Sequence, residues 1–124
     1  MTGYLIVMGI LFLLVGLRAL LKPIEAVATP YELQGESTDA KHYLRSGAGG
    51  VTIACGAVML AGSFLPSLEF AALLLPVTVL GGLLFGRAYS LVVDGSPGFV
   101  AWVSAVLELI GFALGVFWLW KAFG

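Results

Sequence analysis

Four long apolar runs, each closed by a short polar or turn-forming stretch, set the pattern of the chain. The first extends from Tyr4 to Leu21, bears one charge, Arg18, near its end, and stops at Lys22-Pro23. The second, residues 43–65, opens on Arg45-Ser46-Gly47-Ala48-Gly49-Gly50. The third, residues 70–93, contains Pro76 and closes on Gly86-Arg87-Ala88-Tyr89-Ser90, and the fourth, residues 99–120, holds a single acid, Glu108. Each run is near the ~20 residues that a helix needs to cross a hydrocarbon core of about 30 Å. The pattern predicts one all-α domain over residues 1–124, an integral membrane four-helix bundle with antiparallel up-down topology.

The connections are of two kinds. Residues 22–41 are the one polar segment of any length, with Pro23, Pro30, Gly35 and the acids Glu25, Glu32, Glu36 and Asp39, and read as an extramembrane loop. Pro30-Tyr31-Glu32-Leu33 predicts a short interfacial turn, and Ser37-Thr38-Asp39 predicts a cap for the following helix. Pro66-Ser67-Leu68-Glu69 and Asp94-Gly95-Ser96-Pro97-Gly98 are tight turns, which keep the helices on either side adjacent. Ala26-Val27-Ala28 has the small-x-small form of a signal-peptide cleavage site. No basic stretch precedes the first apolar run, so a retained spanning helix is the better reading.

Helical periodicity assigns faces. At 100° per residue Arg45, Gly49, Thr52, Gly56 and Ser63 share a narrow small and polar stripe, expected to face the other helices because small side chains let backbones approach in lipid. The glycines of this run lack the spacing and the following lysine of a phosphate-binding loop. On the third run Arg87, Ser90 and Asp94 share one side, and Gly82 and Gly86 form a small-xxx-small pair on another. Ala101, Ser104, Glu108, Gly111 and Gly115 share a stripe on the fourth, which ends in Trp118, Trp120 and Lys121, an interfacial anchor. Pro76 is expected to kink the third helix.

Composition agrees: of 124 residues 60% are hydrophobic and only 10% charged, and the net charge of -1 offers no basic patch for nucleic acid. The mean hydropathy is +1.08, far above that of a soluble domain. One cysteine, Cys55, and one histidine, His42, cannot make a metal site between them, and no cofactor motif is present. Cys55 reads as a packing residue and His42 as an interfacial one.

What charge remains is concentrated. Arg87 and Glu108 lie inside apolar runs, where ionised groups are expensive unless paired or functional. Counting from the helix ends, Glu108 lies roughly 14 Å deep and Arg87 roughly 9 Å, a difference that an arginine side chain spans. Arg45 and the turn residue Asp94 fall in the same half of the bilayer. Arg18 is poised between that cluster and the headgroups, because Gly9 and Gly16 occupy the opposite face of its helix. The expected cluster is therefore Arg45, Arg87, Glu108, Asp94 and Arg18. Arg18, Lys22, Lys41, Arg45 and Arg87 are on or near the side of residues 22–41, so the positive-inside bias makes that loop cytoplasmic.

Arg45-Ser46-Gly47-Ala48-Gly49-Gly50 and the stretch Gly86 to Gly95 with Glu108 resemble the two signatures of a family of small four-helix bacterial membrane proteins, domain of unknown function 4345. The resemblance covers essentially the whole chain. It implies a four-helix protein of the bacterial inner membrane and carries no agreed activity.

Two functional readings follow. In one, Arg87 and Glu108, with Arg45, are a buried ionic cross-link in an accessory or scaffold-like membrane component. In the other, the cluster binds or transports a small anionic or lipid-like ligand, the excess of arginine favouring an anion. Catalysis is not expected, because no nucleophile and base, paired carboxylates or metal set occur at recognisable spacings. The expected partners are membrane lipids and further copies or other subunits of a membrane complex.

Overall fold

The computed structural model describes residues 1–34 and 37–124; Gly35 and Glu36 of the long connection lie outside the described residues. Among the described residues every regular element is helical: α1 (Thr2–Leu21), a π turn (Ile24–Ala28), α2 (Thr38–Leu44), a π-helical segment (Arg45–Gly50), α3 (Val51–Phe64), a 3-10 turn (Pro66–Leu68), α4 (Glu69–Asp94) and α5 (Phe99–Phe123). Four stretches of the described residues are long and apolar enough to cross a membrane: Thr2–Leu21, Thr38–Phe64, Pro66–Asp94 and Phe99–Phe123. Their outward faces are apolar, with Val7, Leu14, Val15, Phe85, Val92, Phe99 and Trp120 each more than half exposed. That surface is the pattern of a membrane protein.

The sequence predicts four unbroken helices, and the second differs. It starts at Thr38, ahead of the apolar run and where Ser37-Thr38-Asp39 predicts a cap: the Ser37 hydroxyl accepts from the Ala40 N–H at 3.1 Å. It then passes through the Arg45–Gly50 π segment, which divides it into α2 and α3. Two causes are local. The Ser46 hydroxyl donates to the carbonyls of His42 (2.9 Å) and Tyr43 (3.1 Å), competing with the helical ladder, and Gly47, Gly49 and Gly50 bring no side chains to resist the wider turn.

Glycines set the tightest helix contacts. A Cβ at Gly56 would lie 2.8 Å from the Gly9 carbonyl oxygen, and one at Gly16 would lie 2.8 Å from the Ile53 nitrogen and 2.9 Å from the Gly49 oxygen. Backbone therefore meets backbone along α1 and α3, with Gly49 against Leu20 at the far end. Gly62 meets Ala72 and Leu68 of the next span, and on α5 Gly111 is covered by Leu80 and Met8, Gly115 by Tyr4 and Val77. On α4 the close approach is at Gly81, whose Cβ would sit 3.0 Å from the Phe112 ring. The expected packing pair, Gly82 and Gly86, faces open space, because the Gly81 side of the helix is the one turned to α5.

Leu5, Met59, Ala72 and Leu73 form the fully buried core, with Tyr4, Met8, Phe12, Cys55 and Trp118 packed around it. These residues collect near the chain start and the Pro66 turn. α4 continues as an α-helix through Pro76, itself buried, and the Thr78 hydroxyl donates to the Leu74 carbonyl at 2.7 Å one turn away. Towards the opposite end, where α4 leads into α5, side chains such as Tyr89, Val92 and Val93 are exposed.

Candidate functional site

Arg87 and Glu108 meet because the chain between them is short. α4 ends at Asp94, Gly95 takes a left-handed φ of 94° that a Cβ would oppose, and α5 begins at Phe99. The return places residue 87 opposite residue 108. Arg87 Nε donates to Glu108 Oε2 at 2.7 Å and Arg87 Nη2 donates to Glu108 Oε1 at 2.9 Å, a two-pronged guanidinium–carboxylate pair. The side chains are 28% and 14% exposed, so water reaches the pair only partly even with no lipid around it.

A third element closes over the pair. In the long connection the Leu33 N–H donates to the Ala28 carbonyl at 2.7 Å and the Glu32 N–H to Thr29 at 3.1 Å. Glu32 takes a left-handed φ of 58°. This turn carries Tyr31 to α5, where its hydroxyl donates to Ser104 Oγ at 2.9 Å. The same oxygen lies 3.4 Å from Arg87 Nη2. A loop, α4 and α5 are thus joined through four polar side chains. The periodicity puts Ser104 on the Glu108 stripe, but Tyr31 carries no helical or strand signal beyond an aromatic hydroxyl in an interfacial turn.

The other residues of the expected cluster are elsewhere. Arg45 reaches the C-terminal end of α1, where its Nη1 donates to the Leu20 carbonyl and lies 3.5 Å from that of Leu21. It satisfies carbonyls that the helix end leaves without partners. Arg18 is exposed. Asp94 is exposed at the end of α4 and accepts a hydrogen bond from the Ser90 hydroxyl at 2.8 Å. The bond network therefore holds Arg87 with Glu108, and the excess of arginine that favours an anion at this point is not assembled there. Both Glu108 oxygens accept from Arg87.

Two hollows flank these groups. One, about 430 Å³, runs between α4 and α5 towards the Gly95 turn and is lined by Leu84, Ala88, Leu91, Ala105 and Leu109 among others, with Arg87, Ser90 and Tyr31 as its polar members. The second, about 510 Å³, lies where α1 ends against the α2 side, lined by Leu20, Thr38, Lys41, His42, Arg45, Ser46 and Gly50. No group of three or more His, Cys, Asp or Glu residues suited to a metal ion occurs among the described residues.

No curated protein and no solved structure matches the chain. The family described as "Domain of unknown function (DUF4345)" matches residues 1–119, nearly the full length, and includes both the Arg45 to Gly50 stretch and the Arg87–Glu108 pair. The chain belongs to that family.

Proposed function

We propose that the protein is a four-span component of the bacterial inner membrane, accessory or scaffold-like in role, in which the Arg87–Glu108 pair is an internal latch. The observation that carries this reading is the two-pronged bond itself, with Tyr31 and Ser104 hydrogen-bonded beside it. A charge pair joined by two parallel bonds across neighbouring helices holds helix register; opening it would leave an arginine and a glutamate uncompensated in a poorly hydrated place. The order of contacts supports up-down topology: Gly9 lies by Leu60 and Gly16 by Ile53, while Gly81 lies by Phe112 and Gly115 by Val77. Residues 22–41 face the cytoplasm on this reading, with Lys22, Lys41 and Arg45 near that side. A helical rather than barrel architecture suits an inner membrane.

The test is extraction from native membranes in a mild detergent, followed by mass measurement of the intact particle. An accessory component is expected in a stoichiometric particle with another membrane polypeptide or with further copies of itself. Recovery only as the isolated chain, across detergents that preserve known complexes of the same membrane, would contradict the reading.

A further inference from the structure

We propose that the hollow beside Arg45 is a binding site for the phosphate of an anionic phospholipid. The site lies apart from the Arg87–Glu108 latch and does not depend on it. Lys41 and His42 follow Thr38 by three and four residues and Arg45 follows them by four and three, so all four lie along one face of the second span and line one strip. The hollow between that strip and Leu20 measures about 510 Å³.

Among the described residues no acid engages these donors. The ion pairs among the described residues are Lys22 with Glu25 and Arg87 with Glu108, so neither Lys41 nor Arg45 meets a carboxylate there. Arg45 spends Nη1 on the end of α1, and its Nε and Nη2 make no hydrogen bond within the described residues. By contrast Arg87 is neutralised by its partner, which makes the latch a poor place for an anion and the Arg45 hollow a better one.

The layout also fits a lipid rather than a soluble anion. Ser37 caps the span at its start, and Arg45 lies about 12 Å further along the helix axis at ~1.5 Å per residue. A phosphate held between Lys41 and Arg45 then sits at headgroup level, with the glycerol region beyond Arg45 towards Gly50. Below it Leu20 supplies an apolar wall, and Gly50, where an added Cβ would touch only the Arg45 carbonyl at 3.8 Å, leaves the floor open for the start of an acyl chain. A basic recess between spans at the cytoplasmic face is the kind of place that recognises anionic headgroups, at about 1 kcal/mol for each cation near the surface.

The experiment is native mass spectrometry of the full chain in detergent, titrated with phosphatidylglycerol or phosphatidylethanolamine of identical acyl chains. Phosphatidylglycerol is expected to be retained preferentially. Lys41→Gln, an exposed change that leaves the helix-end bonds intact, is expected to lower its retention about fivefold. Arg45→Gln should lower it further, while Lys121→Gln, in the last turn of α5 and away from this hollow, leaves the preference for phosphatidylglycerol unchanged. Inorganic phosphate at equal concentration should fail to displace the lipid. Equal retention of the two lipids, an unchanged preference in Lys41→Gln, or displacement by phosphate alone would overturn the proposal.

Discussion

Replacing Glu108 with glutamine keeps the shape of the side chain and removes its charge, leaving the Arg87 guanidinium without a counter-ion. Two unit charges about 4 Å apart attract by about 4 kcal/mol at an effective dielectric near 20. The observed bonds, at 2.7 and 2.9 Å, are at the strong end for a guanidinium and a carboxylate. Arg87 remains 28% exposed, so part of that attraction is screened, and a coupling of about 2 kcal/mol is the expectation. Each single change, Glu108→Gln or Arg87→Leu, should cost about 2–4 kcal/mol because it strands a partner. The double change should cost less than the sum of the two. The assay is reversible unfolding in mixed detergent micelles on adding dodecyl sulfate, followed by tryptophan fluorescence from Trp102, Trp118 and Trp120. A coupling energy within about 0.5 kcal/mol of zero would show that the two side chains act independently and would refute the latch.

Four further outcomes follow from the same geometry. Tyr31→Phe deletes the hydroxyl bonded to Ser104 and should cost about 1 kcal/mol in the unfolding assay, with Ser104→Ala adding little once the hydroxyl is gone. Gly56→Ala, whose methyl would lie 2.8 Å from the Gly9 oxygen, should destabilise by about 1–3 kcal/mol, since backbone cannot move aside cheaply. Gly82→Ala meets nothing within 4 Å and should leave the fold unchanged or stabilise it by up to about 1 kcal/mol; a loss comparable to that of Gly56→Ala would mean this face is packed after all. Arg45→Ala removes a helix-end contact and should cost about 0.3–1 kcal/mol while leaving the coupling between Arg87 and Glu108 unaltered.

The sequence carries the four apolar spans openly, because lipid demands long uninterrupted runs and each polar connection stands out against them. It also carries the meeting of Arg87 and Glu108. Two charges in apolar helices joined by a turn as short as Asp94 to Gly98 have few other places to go. Arg45 could not be placed by the same arithmetic. Its stripe at 100° per residue does face another helix, with Arg45, Gly49 and Gly56 all turned to α1, but periodicity does not say which helix a stripe meets, and α1 carries neither Arg87 nor Glu108. Gly82 and Gly86 show a related limit: spacing identifies a surface where a helix could approach, not whether one does, and Gly81 on the adjoining face took the contact. Tyr31 was invisible for a different reason. Its bond to Ser104 joins a loop to a helix 73 residues later, and loops have no period from which to read an orientation.

The most direct test of the latch is to exchange its charges. Arg87→Glu and Glu108→Arg alone each place like charges together and should abolish accumulation of folded protein in the membrane. The double exchange, Arg87→Glu with Glu108→Arg, restores opposite charges across the same two helices. Folded protein, measured by a monodisperse peak after mild extraction, should return to a substantial fraction of the wild-type amount. If the double variant is no better than the worse single variant, or if either single variant accumulates normally, the pairing of Arg87 with Glu108 does not hold the fold together.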